Sequence, residues 1–307
     1  MKRVATAAVM IPIVLALVFR GPSWLMPLVL AALAIGCIIE FERLAEAKGI
    51  RIKKPLLRIL GAAPFLMPFL TSVLPESTLT GSSAQTALAV VILAPFCFVV
   101  AHMLTDLEGC FVSAGVATFG VLYISIALLC LWLLWAGTAF GSLLIFFLLV
   151  VVWSGDISAY YVGKNFGRRK LAPRISPGKT WEGAVASFVI SVSLGTWILV
   201  SLEPLYFWLY SYALVPPAGF AGWGSPMPNY PWWFAVAASA VVNIAAQLGD
   251  LVESALKRSA NVKDSGAILP GHGGLLDRID ALLFAGPAAM LVFAVSKRIF
   301  PSSIIFF

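Results

Sequence analysis

The sequence predicts an all-α, polytopic membrane protein of about nine transmembrane helices, with its polar chemistry gathered at one face of the bilayer. Three observations carry this. Hydrophobic residues make up 61% of the chain and charged residues only 11%, against about 25% charged in an average soluble domain. The mean hydropathy is +0.96, so lipid must be the main solvent. The apolar runs are long and unbroken rather than alternating, which favours helices over a closed barrel as the way to satisfy backbone groups in hydrocarbon.

At roughly 20 residues per crossing, the runs give spans at 4–20, 22–39, 56–74, 85–105, 110–135, 141–162, 180–202, 232–252 and 281–299. The first opens with Lys2 and Arg3 like a secretory signal. No small-x-small cleavage pattern follows before Arg20, so it reads as a retained span kinked at Pro12. The second leads into EFERLAEAKGIRIKK (40–54), which reads as an inner-surface helix with a basic tail attracted to anionic head groups. The division at Ala136–Phe140 between the fifth and sixth spans decides the count, because joining them would invert everything downstream. Residues 203–231 carry Trp, Tyr, Pro and Gly but no basic residue, and with Trp232 and Trp233 they suit an interfacial aromatic belt.

Basic residues test this topology. With the N-terminus inside, 17 of the 21 Lys and Arg fall on the inner side and three (Arg20, Lys297, Arg298) outside, while Arg58 lies near the inner end of span three. The net charge of +7 is thereby accounted for by the bilayer and its head groups, and nucleic acid is not an expected partner. The N-terminus and the polar segments are accordingly expected on the cytoplasmic side. Without repeats or low-complexity tracts, residues 1–307 read as a single integral membrane domain. Within it, 1–150 supply N-terminal spans and 151–307 carry the motifs. Cys37, Cys97, Cys110 and Cys130 are scattered in apolar runs and read as packing residues, as does His102.

Two polar segments break the apolar pattern, 153–183 and 247–280, and both fall on the inner side. Asp156 and Asp250 stand at the inner ends of spans, and Asp277 and Asp280 precede the last one. Ionisable groups at membrane depth are costly and turn towards protein or a wet cavity. Asp277 and Asp280 are three apart and share a helix face. Converging carboxylates suit Mg²⁺, which takes a few of them plus phosphate oxygens. Around these acids the sequence sets Lys164, Arg168, Lys179, Lys257, Arg258, Lys263, His272 and Arg278, a cationic field fit for a metal-bound polyphosphate. Gly271, Gly273 and Gly274 would let backbone N–H groups approach a phosphate, and Ser176 opens the Ser-Pro-Gly-Lys-Thr stretch. Gly178-Lys179-Thr180 is like the end of a P-loop, yet position 173 is Pro173 and no strand is expected before it, so that reading fails. Thr180 is placed to cap the following helix.

At this point the resemblance to a family becomes specific. Ser254, Leu256, Lys257, Arg258, Lys263, Asp264, Gly266, Leu269, Pro270, His272, Gly273, Gly274, Asp277, Arg278 and Asp280 stand at the spacing of the pattern that marks bacterial phosphatidate cytidylyltransferases. Gln247-x-Gly-Asp250, Asp156-x-x-Ala-Tyr160-x-x-Gly163 and Ser176–Gly183 also match, so the likeness is detailed over about 153–285. In the first 150 residues it is mainly hydropathy and the Glu40-to-Leu44 patch. Asn261 replaces a frequent Gly, and Asn tolerates a left-handed turn. The resemblance implies transfer of CMP from CTP to phosphatidic acid, giving CDP-diacylglycerol and pyrophosphate. It implies Mg²⁺ on Asp250 and Asp277, a second potassium-like cation, a homodimer, and a bacterial inner membrane as the location; from their place in the sequence Asp280 and Asp156 are expected to support or share the metal. The residues leave two other classes in view. A membrane lipid kinase or prenyl-type transferase would share an acidic Mg²⁺ motif, of which Asp277-x-x-Asp280 is one instance where two are usual. An ion-coupled transporter would place charges near the midplane in repeated halves, whereas here they hug one interface.

Overall fold

The computed structural model describes residues 2–74, 83–105, 107–137, 140–215, 230–266 and 273–299. Its helices are α1 (Lys2–Arg20), α2 (Leu25–Ala47), α3 (Lys54–Ala62), α4 (Leu66–Val73), α5 (Ser83–Met103), α6 (Cys110–Gly120), α7 (Ala127–Ala136), α8 (Gly141–Phe166), α9 (Trp181–Val200), α10 (Leu202–Ser211), α11 (Trp232–Ser259) and α12 (Leu276–Ile299). Eight stretches are long and apolar enough to cross a bilayer, and Val9–Arg20 forms a shorter apolar helix. The eight correspond to the second to ninth expected spans and the short helix to the first. α7 ends at Ala136 and α8 begins at Gly141, so the decisive division holds.

Four boundaries differ from the sequence reading. Residues 40–54 are not one inner-surface helix: α2 continues to Ala47 and buries Glu40 and Glu42, and the chain then turns at Gly49 (φ 74°) before α3. The third span is broken by a 3₁₀ turn at Ala63–Phe65, where Pro64 removes a backbone donor. Leu202–Ser211, expected in an irregular outer segment, is helical. Finally, an antiparallel hairpin interrupts the helices: β1 (Lys170–Ala172) pairs with β2 (Ser176–Thr180), matching Lys170 to Thr180 and Ala172 to Ser176.

The chain forms two compact units. The first comprises Met1–Ile11, Gly21–Trp132 and Leu256–Ile279. Cys37, Ile38, Phe41, Leu57, Phe65, Ala117 and Ile124 are buried there. Gly61 packs so tightly on Ile38 that an added Cβ would collide with it, and the Ser125 hydroxyl donates to the Gly61 carbonyl at 2.8 Å. Glu42 accepts a forked pair of bonds from Arg58, 3.1 and 2.7 Å. Between α6 and α7 the helix widens to a π turn over Val121–Ile126. His102 is 2% exposed and bonds the Phe98 carbonyl through Nδ1, as a packed histidine would. Cys37, Cys97, Cys110 and Cys130 are free thiols.

The second unit comprises Pro12–Arg20, Leu133–Ala255 and Asp280–Phe307. Its main seam is α8 against α9, and small residues make that seam possible. A Cβ at Gly155 would lie 2.8 Å from the Ser187 and Ser191 hydroxyls, and one at Gly195 would lie 2.7 Å from Val151 Cγ2. Away from the seam, α9 exposes Val185, Val189, Ile190, Leu194 and Trp197, a surface that only lipid would solvate. Phe147, Phe293, Tyr230 and Phe234 pack into an aromatic core, with Phe147 edge-on to Phe293 and Tyr230 stacked on Phe234. Trp208, Tyr210, Trp232 and Trp233 are exposed, as expected of a belt at the interface.

Candidate active site

In the second unit, a cleft of about 670 Å³ opens where α8, the hairpin, α9 and α11 meet. Its lining includes Asp156, Tyr160, Lys164, Lys170, Ser176, Lys179, Gln247 and Asp250. Small-molecule sites usually measure about 300–1,000 Å³, so the volume suits a nucleotide-sized ligand.

Each wall follows from local sequence. α11 places Asn243, Gln247 and Asp250 at i, i+4 and i+7, one face of a helix. Asn243 Nδ2 donates to the Ser187 hydroxyl at 3.0 Å, and Gln247 Nε2 donates to Asn243 Oδ1 at 2.7 Å. This buried ladder fixes the rotation of α11 and so the direction of Asp250. The Thr180 hydroxyl accepts from the Gly183 N–H at 3.2 Å and caps α9, as its sequence position predicts. Glu182, in the first turn of α9, accepts from the backbone N–H groups of Arg168 and Arg169 at 3.0 and 3.2 Å. Those bonds tie the base of the hairpin to the helix, and the hairpin carries Lys179 over the cleft.

Lys179 Nζ meets Asp250 Oδ2 at 2.7 Å, with the two side chains 24% and 35% exposed. The Ser254 hydroxyl lies 3.5 Å from the other oxygen, Oδ1. The charges of Asp156, Asp250 and Asp280 act on one another, with Lys179 as counter-charge. Lys164 sits 5.8 Å from the centre of the Tyr160 ring, a cation–π contact that parks an exposed ammonium beside the cleft. Arg168 does not line the cleft; its backbone serves Glu182, and its side chain is exposed.

The remaining motif residues lie in the first unit. Lys257 Nζ is 2.5 Å from Asp277 Oδ1. Asp277 Oδ2 accepts from the backbone of Gly274 at 2.7 Å and of Ser265 at 3.1 Å. Gly273 has φ 77°, a conformation glycine adopts without strain, and Asn261 takes the left-handed turn (φ 57°) its substitution for Gly requires. Arg258, Lys263 and Arg278 are exposed. Gly271 and His272 lie outside the described residues.

The donor set bears on a metal. Among the described residues no three Asp, Glu, His or Cys side chains converge enough to hold an ion unaided. Mg²⁺ does not need that, since it is commonly bound through one or two carboxylates with water and substrate phosphates completing the octahedron. Mutually repelling carboxylates beside a cationic cleft fit such an ion.

Sequence reasoning missed two residues here. Lys170 lines the cleft because the β1–β2 pairing returns it to the lining beside Lys179, which a helical reading could not show. Glu40 is fully buried against Leu275 and Leu276 at the start of α12.

Comparison with known proteins agrees with the motifs. The model of the cytidylyltransferase family matches residues 1–296. A phosphatidate cytidylyltransferase of Bacillus subtilis (strain 168) is 33% identical over 297 residues, 96% of this chain and 97% of that protein. One from Brucella suis biovar 1 is 40% identical over 188 residues, 61% of this chain and 60% of that protein. One from Thermotoga maritima is 36% identical over 203 residues, 66% of this chain and 67% of that protein. A match running through nearly every helix, with the carboxylates and lysines of the cleft inside it, leaves one assignment: the chain belongs to the cytidylyltransferase family.

Proposed function

We propose that the protein is a phosphatidate cytidylyltransferase, converting CTP and phosphatidic acid to CDP-diacylglycerol and pyrophosphate. The observation that carries this is the Lys179–Asp250 pair at the cleft, cation against carboxylate, inside a chain whose Bacillus subtilis relative, matched over 97% of its length, bears that name.

The reaction is an in-line displacement. A phosphate oxygen of phosphatidic acid forms a bond to the α-phosphorus of CTP, and the bond from that phosphorus to the α–β bridging oxygen breaks. The electron pair leaves with pyrophosphate. The attacking phosphate is already anionic at neutral pH, so no side chain has to remove a proton, and rate comes from positioning and charge neutralisation. Lys179, Lys164 and Lys170 receive the triphosphate, and Ser176 with the open backbone at Gly178 offers polar contacts. On the family resemblance, Asp250 and Asp277 are the proposed Mg²⁺ ligands, with Asp156 and Asp280 in support. When bound, Mg²⁺ would neutralise phosphate oxygens that gain charge in the transition state. Lys257, Arg258, Lys263, His272 and Arg278 are further candidates for phosphate contact, by their place in the family motif. A potassium-like cation and a homodimer are further parts of this reading, resting on the family resemblance.

The distribution of basic residues supports an inner-membrane orientation with the N-terminus and cleft cytoplasmic. The substrate phosphate then sits at head-group level beside a water-facing nucleotide site. The test is product formation by detergent-purified protein given phosphatidic acid, CTP and Mg²⁺. CDP-diacylglycerol that disappears on chelation supports the reading; folded protein that forms none across several acyl chains refutes it.

A further inference from the structure

Glu40 lies in the middle of an apolar helix, CIIEFERL, and is 0% exposed. A charge so placed is costly unless its oxygens are satisfied. They are satisfied by one segment. Oε1 accepts from the Leu275 N–H and Oε2 from the Leu276 N–H, both at 2.8 Å, and the Ser265 hydroxyl lies 2.8 Å from Oε2. Leu276 begins α12, so this carboxylate from α2 caps the first turn of the helix that carries Asp277, where negative charge is also favoured by the helix dipole.

The surrounding residues are shaped to the carboxylate. A Cβ at Gly266 would stand 2.4 Å from Glu40 Oε1, and one at Gly274 would stand 2.4 Å from Oε2. Both motif glycines thus leave the space that the Glu40 carboxylate fills. Ser265 links Glu40 to Asp277: its hydroxyl is 3.0 Å from Asp277 Oδ2 as well as 2.8 Å from Glu40 Oε2. A hydroxyl has one proton to give, so the two carboxylates share a single donor. Asp277 is held from its other side by Lys257.

We infer that Glu40 is a positioning residue for this reaction, fixing the start of α12 and through it the carboxylate of Asp277. The inference rests on the proposed function for its kinetic consequence but not for its structural one. Partners that orient metal-binding carboxylates typically alter metal affinity or activity 10–100-fold when lost. Glu42, two residues on, is equally buried but bonded to Arg58, and supplies the comparison that a purely structural role would match.

The experiment compares wild type, Glu40→Gln, Ser265→Ala and Glu42→Gln in detergent. It reads kcat, KM for CTP, the half-saturating Mg²⁺ concentration, and amide exchange of the peptide spanning 264–277. Glu40→Gln is expected to lower kcat about 10–100-fold and to raise the Mg²⁺ requirement, with KM for CTP within twofold. Faster exchange at Leu275 and Leu276 should accompany this. Ser265→Ala should shift both readouts the same way by less, which covers the case in which Glu40→Gln does not fold. Glu42→Gln should leave the Mg²⁺ requirement and that peptide's exchange unchanged. The inference is overturned if Glu40→Gln keeps the wild-type Mg²⁺ requirement and exchange, or if Glu42→Gln reproduces its effects. If wild type makes no CDP-diacylglycerol, the functional reading fails separately, and exchange alone decides whether Glu40 orders the segment.

Discussion

Replacing Lys179 with Met separates catalysis from folding at one atom. In the folded protein Nζ pairs with Asp250 at 2.7 Å, but the side chains are 24% and 35% exposed. Water screens such a pair, and its net contribution to folding is about 0–1 kcal/mol. Methionine keeps most of the lysine stem's packing, so the loss in stability should stay near that range, a Tm decrease no larger than about 2–4 °C. In the reaction the same ammonium would face charge developing on a transferring phosphate. Deleting one preorganised donor of that kind costs about 10²–10³ in kcat, or about 2.7–4 kcal/mol. Lys179→Met should therefore lose activity 10²–10³-fold while melting within a few degrees of wild type. Lys179→Arg, which keeps the charge but not the compact geometry, should fall between. The assay is label transfer from CTP to lipid in mixed micelles, with Tm read from the same preparation. A Lys179→Met protein within fivefold of wild-type kcat at saturating CTP would refute the assignment of this lysine to the triphosphate.

Asp250→Asn should abolish measurable activity and its stimulation by Mg²⁺ while leaving the ladder from Asn243 to Gln247 intact, as read by Mg²⁺ titration and Tm. Gly155→Val should drive a branched side chain into the Ser187 and Ser191 hydroxyls and destabilise the α8–α9 seam by about 1–3 kcal/mol, visible in thermal unfolding. Arg58→Ala should leave Glu42, only 3% exposed at its side chain, without its guanidinium. Loss of about 1–3 kcal/mol is expected, largely recovered in the Arg58→Ala, Glu42→Gln double variant. Thr180→Ala should remove the cap of α9 at a cost of about 1 kcal/mol and lower activity further by loosening the hairpin that holds Lys179.

Much of the architecture is legible in the sequence because lipid imposes one strong rule. The spans follow from apolar run length, and even the break at Ala136–Gly141 follows from the tally of basic residues. What escaped has identifiable causes. β1 and β2 are short and polar and lack the alternation that marks a strand, so the hairpin, and with it Lys170 beside the cleft, could not be read. Glu40 reads with the charges that follow it, since periodicity cannot say whether a carboxylate at the end of an apolar run faces water or a buried helix start. Its signal was the run CIIEFERL, where two acids interrupt hydrocarbon-depth sequence and each turns out to be buried. The motif acids were legible as a set. That Asp156 and Asp250 line one cleft, and that Asp277 pairs with Lys257, are tertiary facts that spacing does not encode.

The central claim concerns which phosphorus is attacked, and isotopic labels decide it directly. Purified protein would be given phosphatidic acid, Mg²⁺ and CTP labelled at either the α- or the γ-phosphorus. The account predicts α-label in the lipid product and γ-label in pyrophosphate. Label from the γ position in lipid, with nucleoside diphosphate released, would instead mark a lipid kinase and contradict it.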